Sequence, residues 1–179
     1  MRFSTTLFHA KNAVLLLLIW GGSLWAYELL PASMPGHFNV LGQVSYRAET
    51  TAVRWFLLPG VALGLAGLMY SVAILLPRYP GLMNVPDPKA FEQLTPERKE
   101  VVVQLTQDVL YGITALMLLI FGVLQLGAYS TAIYETDGLP LYVRVVLWSS
   151  LPLLIALGPV VVWLVHHTIQ RLHRDQAGS

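Results

Sequence analysis

Four apolar runs, each close to the length that crosses a bilayer, limit what this chain can fold into. Residues 13–27, 55–76 and 109–128 carry no charge, and residues 142–165 carry only Arg144, near their start. A hydrocarbon layer about 30 Å thick takes roughly 20 apolar residues in a helix. Lipid offers the backbone no hydrogen bonds, so each run must satisfy its own N–H and C=O groups, as an α-helix does. The expected fold is an all-α membrane protein with four transmembrane helices, at about 12–30, 55–76, 107–128 and 142–165, in one domain over 1–179. Composition agrees. Of 179 residues, 55% are hydrophobic and 12% charged, with mean hydropathy +0.60, whereas soluble domains are about 25% charged.

The first run reads as an uncleaved helix. Its apolar stretch is long for a signal peptide, and bulky Leu24-Trp25-Ala26-Tyr27 stands where a cleavage site needs small residues. Thr95-Pro96-Glu97 reads as a helix start, with a cap, a proline at the first position and an early acid. From Pro96 to about residue 128 the third helix would measure about 50 Å, so its amphipathic lead-in, with Glu97, Arg98, Glu100, Gln104, Gln107 and Asp108, should project from the membrane or lie on it. Pro152 and Pro159 should kink the fourth helix. The tail, 166–179, is basic and reads as disordered.

Lysine and arginine are retained on the cytoplasmic side of membrane proteins. With four spans, Arg2, Lys11, Arg78, Lys89, Arg98, Lys99, Arg171 and Arg174 share one side. Arg47, Arg54 and Arg144 are on the other. This places both termini in the cytoplasm of a multi-pass protein of a bacterial inner membrane. The stretch 30–42 and the acidic loop with Glu135 and Asp137 then face outward, where they could meet.

Stretch 30–42 is a polar loop punctuated by Pro31 and Pro35, which fix φ, and by Gly36 and Gly42, which free it. Between them lies His37-Phe38-Asn39, the densest potential chemistry outside the tails. Pro31-x-x-x-Pro35-x-His37-Phe38-Asn39-x-x-Gly42 after a first membrane helix resembles a bacterial membrane domain of unknown function. That domain also forms the N-terminal part of the immunity protein of the sporulation-delaying-protein (Sdp) toxin system. Asn84-Val85-Pro86, Phe91 and Pro96-Glu97-Arg98-Lys99 resemble a second segment of the same family, and the likeness covers 12–128. It implies a multi-helix membrane protein and, in one branch, toxin immunity.

Net charge +1 gives nucleic acid no electrostatic attraction, and the lack of cysteine excludes thiolate and disulfide chemistry. No hydrolase, zinc-protease, P-loop or dinucleotide motif is present, so no enzyme activity and no cofactor are expected. His37 and Asn39, with Phe38, Glu28 and Glu49, are candidate ligand- or partner-binding residues. The plainer reading is that His37 and Asn39 hydrogen-bond their own loop. Zinc needs three or four ligands, and His37 is the one histidine on its side, so no metal is expected. Haem ligation by His9 and His166 is disfavoured by their position at helix ends. His166, His167 and His173 suit anionic headgroups. Glu28 should be hydrated or paired with Arg54 or Arg47. Gly60, Gly64 and Gly67 should let helices pack closely inside the bundle, with a homo-oligomer face as the alternative. The functional expectation is a binding, accessory or immunity-like protein that recognises a peptide or membrane partner through the His37 loop. The rival is a small transporter or ion pathway using Glu28 or Asp108. An intramembrane enzyme would need His37, Glu28 and Glu135 gathered around a cavity.

Overall fold

In the computed structural model, which describes residues 3–177, each apolar run is helical. The elements are α1 (Phe3–Tyr27), β1 (Ser33–Phe38), β2 (Val44–Glu49), α2 (Ala52–Leu75), α3 (Pro88–Glu92), α4 (Pro96–Ile133) and α5 (Leu141–Ala177). Four of these helices, α1, α2, α4 and α5, are long and apolar enough to cross a membrane. This is a multi-pass α-helical membrane protein. Arg2 lies outside the described residues.

The helix limits differ from expectation for local reasons. α1 stops at Tyr27 rather than 30, because Pro31 disfavours helical backbone before it; two tight turns follow, Leu29 N to Ala26 O and Leu30 N to Tyr27 O. α2 begins at Ala52 behind Thr51, whose extended backbone and hydroxyl cap the helix at Arg54 N. α4 is continuous from Pro96, as expected, but reaches Ile133. Glu135 then turns the chain with a left-handed φ of 49°. α5 absorbs most of the tail, against the disorder its composition predicts, and remains one helix through Pro152 and Pro159.

The tail is ordered because it has partners. Its last turns pack on α3 and the start of α4 around Phe91, Leu94, Val102, Val165 and Ile169. Asp87 caps α3 through Oδ1 and accepts Gln170 Nε2 at 2.7 Å through Oδ2. His173 bonds Gln93 Oε1 at 2.7 Å, and Arg98 donates to the carbonyl of Leu172. His173 thus makes a contact within the protein, to the turn after α3.

Helix α4 is central. It packs against α1, α2 and α5, while α1 and α2 also touch each other. Helices in lipid gain little from excluding water, so close packing by small side chains holds them together. Ala62, Ala66 and Ala73 of α2 supply it, together with Ala26 of α1 and Ala128 and Ala132 of α4, all buried. Gly127 of α4 serves α5: a Cβ there would stand 2.9 Å from Val143. The glycines expected to pack internally do not. Gly60, Gly64 and Gly67 are exposed, and a Cβ on each would meet nothing within 4 Å. They lie on the face of α2 opposite its alanines.

The stretch 30–42 is no loop. Its middle, Ser33–Phe38, is β1, paired antiparallel with β2 in a two-stranded hairpin. Pro35 is tolerated because the sheet has only edge strands. Met34 is buried over the bundle end among Ala26, Trp55, Ala128 and Ala132. Thr50 closes the base, with N to Ala32 O and Oγ1 to Pro31 O. The turn at the other end is clamped to the α4–α5 connection. Val44 N donates to Asp137 O at 2.8 Å, Leu139 N donates to Gly42 O at 2.7 Å, and Gln43 bridges to Gly138. The two polar connections therefore do meet.

Glycine is required at the clamp. A Cβ on Gly138 would lie 2.9 Å from the carbonyl oxygen of Gly42. Gly138→Ala is expected to lower the thermal midpoint in detergent by the equivalent of about 1–3 kcal/mol. Gly60→Ala, with open space around it, should not lower it. Equal behaviour of the two variants would contradict this packing.

Candidate functional site

Two groups of polar side chains stand out, one at each end of the helices. The first is the hairpin. Asn39 organises its turn: Oδ1 accepts Leu41 N at 2.9 Å and Gln43 N at 3.0 Å, and Nδ2 donates to Gln43 Oε1 at 3.0 Å. Gly42 N closes back on Asn39 O, and Gly42 takes a φ of 78°. The Asn39-x-x-Gly42 spacing thus has a structural explanation, and Asn39 is a turn residue. Phe38 is half-buried and packs with Met34 and Trp55 on the bundle end.

His37 is different. It is exposed, and among the described residues its ring has no hydrogen-bond partner. It faces Tyr46 in register, and the Tyr46 ring lies against Gly36, where a Cβ would come within 2.2 Å. Gly36 therefore makes room for an aromatic ring beside the histidine, and Tyr46 remains 58% exposed. Pairing slips on both sides of His37, a bulge that re-aims its side chain.

The acids expected near His37 are elsewhere. Glu49 is at the hairpin base, paired with Ser33, and Glu28 is exposed on the turn after α1. Neither forms an ion pair; the one ion pair among the described residues is Arg171–Asp175, at 3.9 Å. The arginines expected to pair with Glu28 bind backbone instead. Arg54 donates to Glu49 O at 2.8 Å. Arg47 donates to Thr136 O at 2.9 Å and to Thr131 O at 3.4 Å, capping the end of α4. Glu28 and the half-buried Asp108 lie toward opposite ends of the bundle. No group of three His, Asp or Glu side chains among the described residues could hold a metal ion.

The second group was not visible in the sequence. His9 and Asn12 of α1 meet Tyr70 of α2 and Tyr111 of α4 near the end of the bundle that carries the tail. The Tyr70 hydroxyl is 3.1 Å from His9 Nδ1 and accepts Asn12 Nδ2 at 3.0 Å. Asn12 Nδ2 also donates to the Tyr111 carbonyl at 3.2 Å, and the His9 ring meets the Tyr111 ring edge-on, with centroids 4.7 Å apart. Asn12 is 1% exposed. His9 is thus held by tyrosine, rather than facing His166 across the bundle. Three helices are tied at one point, where hydrogen bonds replace the missing hydrophobic drive. The sequence signal was a polar pair three residues apart at the head of an apolar run. The matching tyrosines come from two distant helices.

Between α1 and α4 an apolar groove of about 350 Å³ runs beside Ile19, Gly22, Leu118 and Gly122. At its hairpin end Trp55 Nε1 donates to Ser23 O at 2.8 Å, and Gln125 Nε2 to Trp55 O at 3.3 Å. These bonds join the same three helices at the opposite end.

No protein-family model matches the chain, and comparisons with curated proteins and with solved structures find no match.

Tyr70→Phe removes the shared partner of His9 and Asn12. It is expected to cost about 1–3 kcal/mol of stability, read by thermal unfolding in detergent. Tyr79→Phe, at an exposed position, should change nothing measurable.

Proposed function

We propose that this chain is a membrane-embedded binding protein, without catalysis of its own, that recognises a peptide or a partner membrane protein through the His37 face of its hairpin. One observation carries the reading. His37 is the hairpin's exposed, uncommitted imidazole, set beside an exposed Tyr46 on a scaffold held at both ends. Rigid aromatic surface next to a hydrogen-bonding ring suits peptide recognition, because little side-chain freedom is lost on binding. The likeness of the hairpin motif to the Sdp-immunity-associated domain supports toxin immunity as the process. Asn39 and Gly42 serve as the turn that presents His37.

The lysine and arginine distribution supports a bacterial inner-membrane location with the hairpin outside and both termini cytoplasmic. The chain has no cysteine, so a single His37→Cys substitution reports sidedness directly. A membrane-impermeant maleimide should label it in intact cells.

A photo-cross-linking residue at position 37 should capture a discrete peptide or protein in intact cells, whereas one at lipid-facing Leu17 should not. His37→Ala should abolish binding or toxin protection while keeping the wild-type thermal midpoint. Capture of lipid alone at position 37, or unaltered protection by His37→Ala, would refute the proposal.

A further inference from the structure

Arg144 has no part in the partner-binding reading. It sits in the first turn of α5, where no acidic residue stands. The start of a helix is already a region of positive potential. Among the described residues the Arg144 guanidinium has no hydrogen bond or ion pair. Its stem, however, is held in place. Gly42 comes so close that a Cβ there would lie 3.1 Å from both Cγ and Cδ of Arg144. The hairpin turn therefore fixes the aliphatic part of this arginine and leaves its charge uncompensated.

Around it is a cleft of about 420 Å³ between the hairpin turn and α5, lined by Leu41, Gln43, Leu141, Arg144, Val145 and Trp148. Four of those six side chains are apolar or aromatic, and each is more than half exposed. Gln43 adds an oriented donor. Its Oε1 is occupied by Asn39 Nδ2, so its amide N–H groups are the spare end. Trp148 stands one helical turn beyond Arg144 on the same face, and tryptophan marks the headgroup level of a bilayer. Leu151 and Ile155 continue that face and are exposed. No residue of α5 between Ser150 and Val165 is buried.

We propose that this cleft is a binding site for an anionic phospholipid of the leaflet on the hairpin side. The Arg144 guanidinium takes the phosphodiester oxygens, a planar fork matched to a phosphate. The Gln43 amide donates to the phosphate or glycerol oxygens. The acyl chains follow Val145, Trp148, Leu151 and Ile155 along the open face of α5. Charge complementarity calls for an anion, and the apolar walls call for one that carries hydrocarbon. A small hydrated anion would find a single cation and no second charged partner. The bound lipid would bridge the hairpin turn to α5.

The test uses full-length protein in nanodiscs of phosphatidylcholine with or without phosphatidylglycerol, with retained lipid read by native mass spectrometry and stability by thermal midpoint. Phosphatidylglycerol should raise the midpoint of the wild type and remain as a discrete adduct. Arg144→Gln should reduce adduct occupancy about tenfold, the loss expected for one charge-assisted contact, and Arg144→Lys should restore part of it. Val145→Trp, which keeps the charge and fills the cleft, should also weaken retention. Arg171→Gln, at the far end of α5, should match the wild type. Equal occupancy in Arg144→Gln and the wild type would overturn the site. So would equal retention of phosphatidylcholine, or an equal loss in Arg171→Gln. The same stabilisation by inorganic phosphate in detergent would overturn the lipid assignment.

Discussion

The last turn of α4 ends with carbonyl groups that its own helix cannot satisfy, at the boundary of a solvent that cannot satisfy them either. Arg47 reaches from β2 to one of these carbonyls, that of Thr131, and to the carbonyl of Thr136 in the connection just beyond the helix. Around that contact the hairpin turn and the α4–α5 connection exchange backbone bonds through Val44 and Leu139. Thr131 Oγ1, fully buried, bonds Gly127 O and Gly138 O from below. Irregular backbone survives beside lipid when it pairs with other irregular backbone, and this clamp is the instance here. Everything on the hairpin side follows from it. His37 is displayed on a hairpin tied at its turn, α5 departs from a connection bonded to that turn, and the Arg144 stem packs against Gly42.

The transmembrane helices obey a second rule. Their contacts are made by alanine, glycine and a few hydrogen bonds, since leucine gains nothing by leaving lipid for a protein interior. Large apolar side chains such as Leu17, Leu18, Leu57 and Ile155 consequently face outward. Polar ties sit near both ends of the bundle: His9, Asn12 and Tyr70 toward the tail, Trp55, Ser23 and Gln125 toward the hairpin. The α5 helix is joined to the rest at its two ends and lies open between them.

Much of this architecture is written in the order of residues because a bilayer imposes it. Uncharged runs near 20 residues had to become helices, and Thr95-Pro96 marks the start of α4. What escaped was whatever depends on distant partners. Pro31 and Pro35 read as loop punctuation, but a two-stranded ribbon has no inner strand for proline to spoil. The 166–179 segment reads as a tail until Asp87, Gln93 and Arg98 are brought beside it. Periodicity placed Gly60, Gly64 and Gly67 on one face, but could not tell which way the face points; Ala62 and Ala66 took the inner side. In the candidate site, the chemistry of His37 is legible from its residue type, whereas its separation from Glu28 and Glu49 depends on how the chain folds. Tyr46, its neighbour, lay behind a bulge that alternation does not forecast.

Amide hydrogen exchange at Val44 and Leu139, measured on the protein in nanodiscs, tests the clamp most directly. Both amides should be protected to a degree approaching the amides of mid-α4, because each donates to a backbone carbonyl across the hairpin and the α4–α5 connection. Exchange of both at rates typical of open loops would contradict the account.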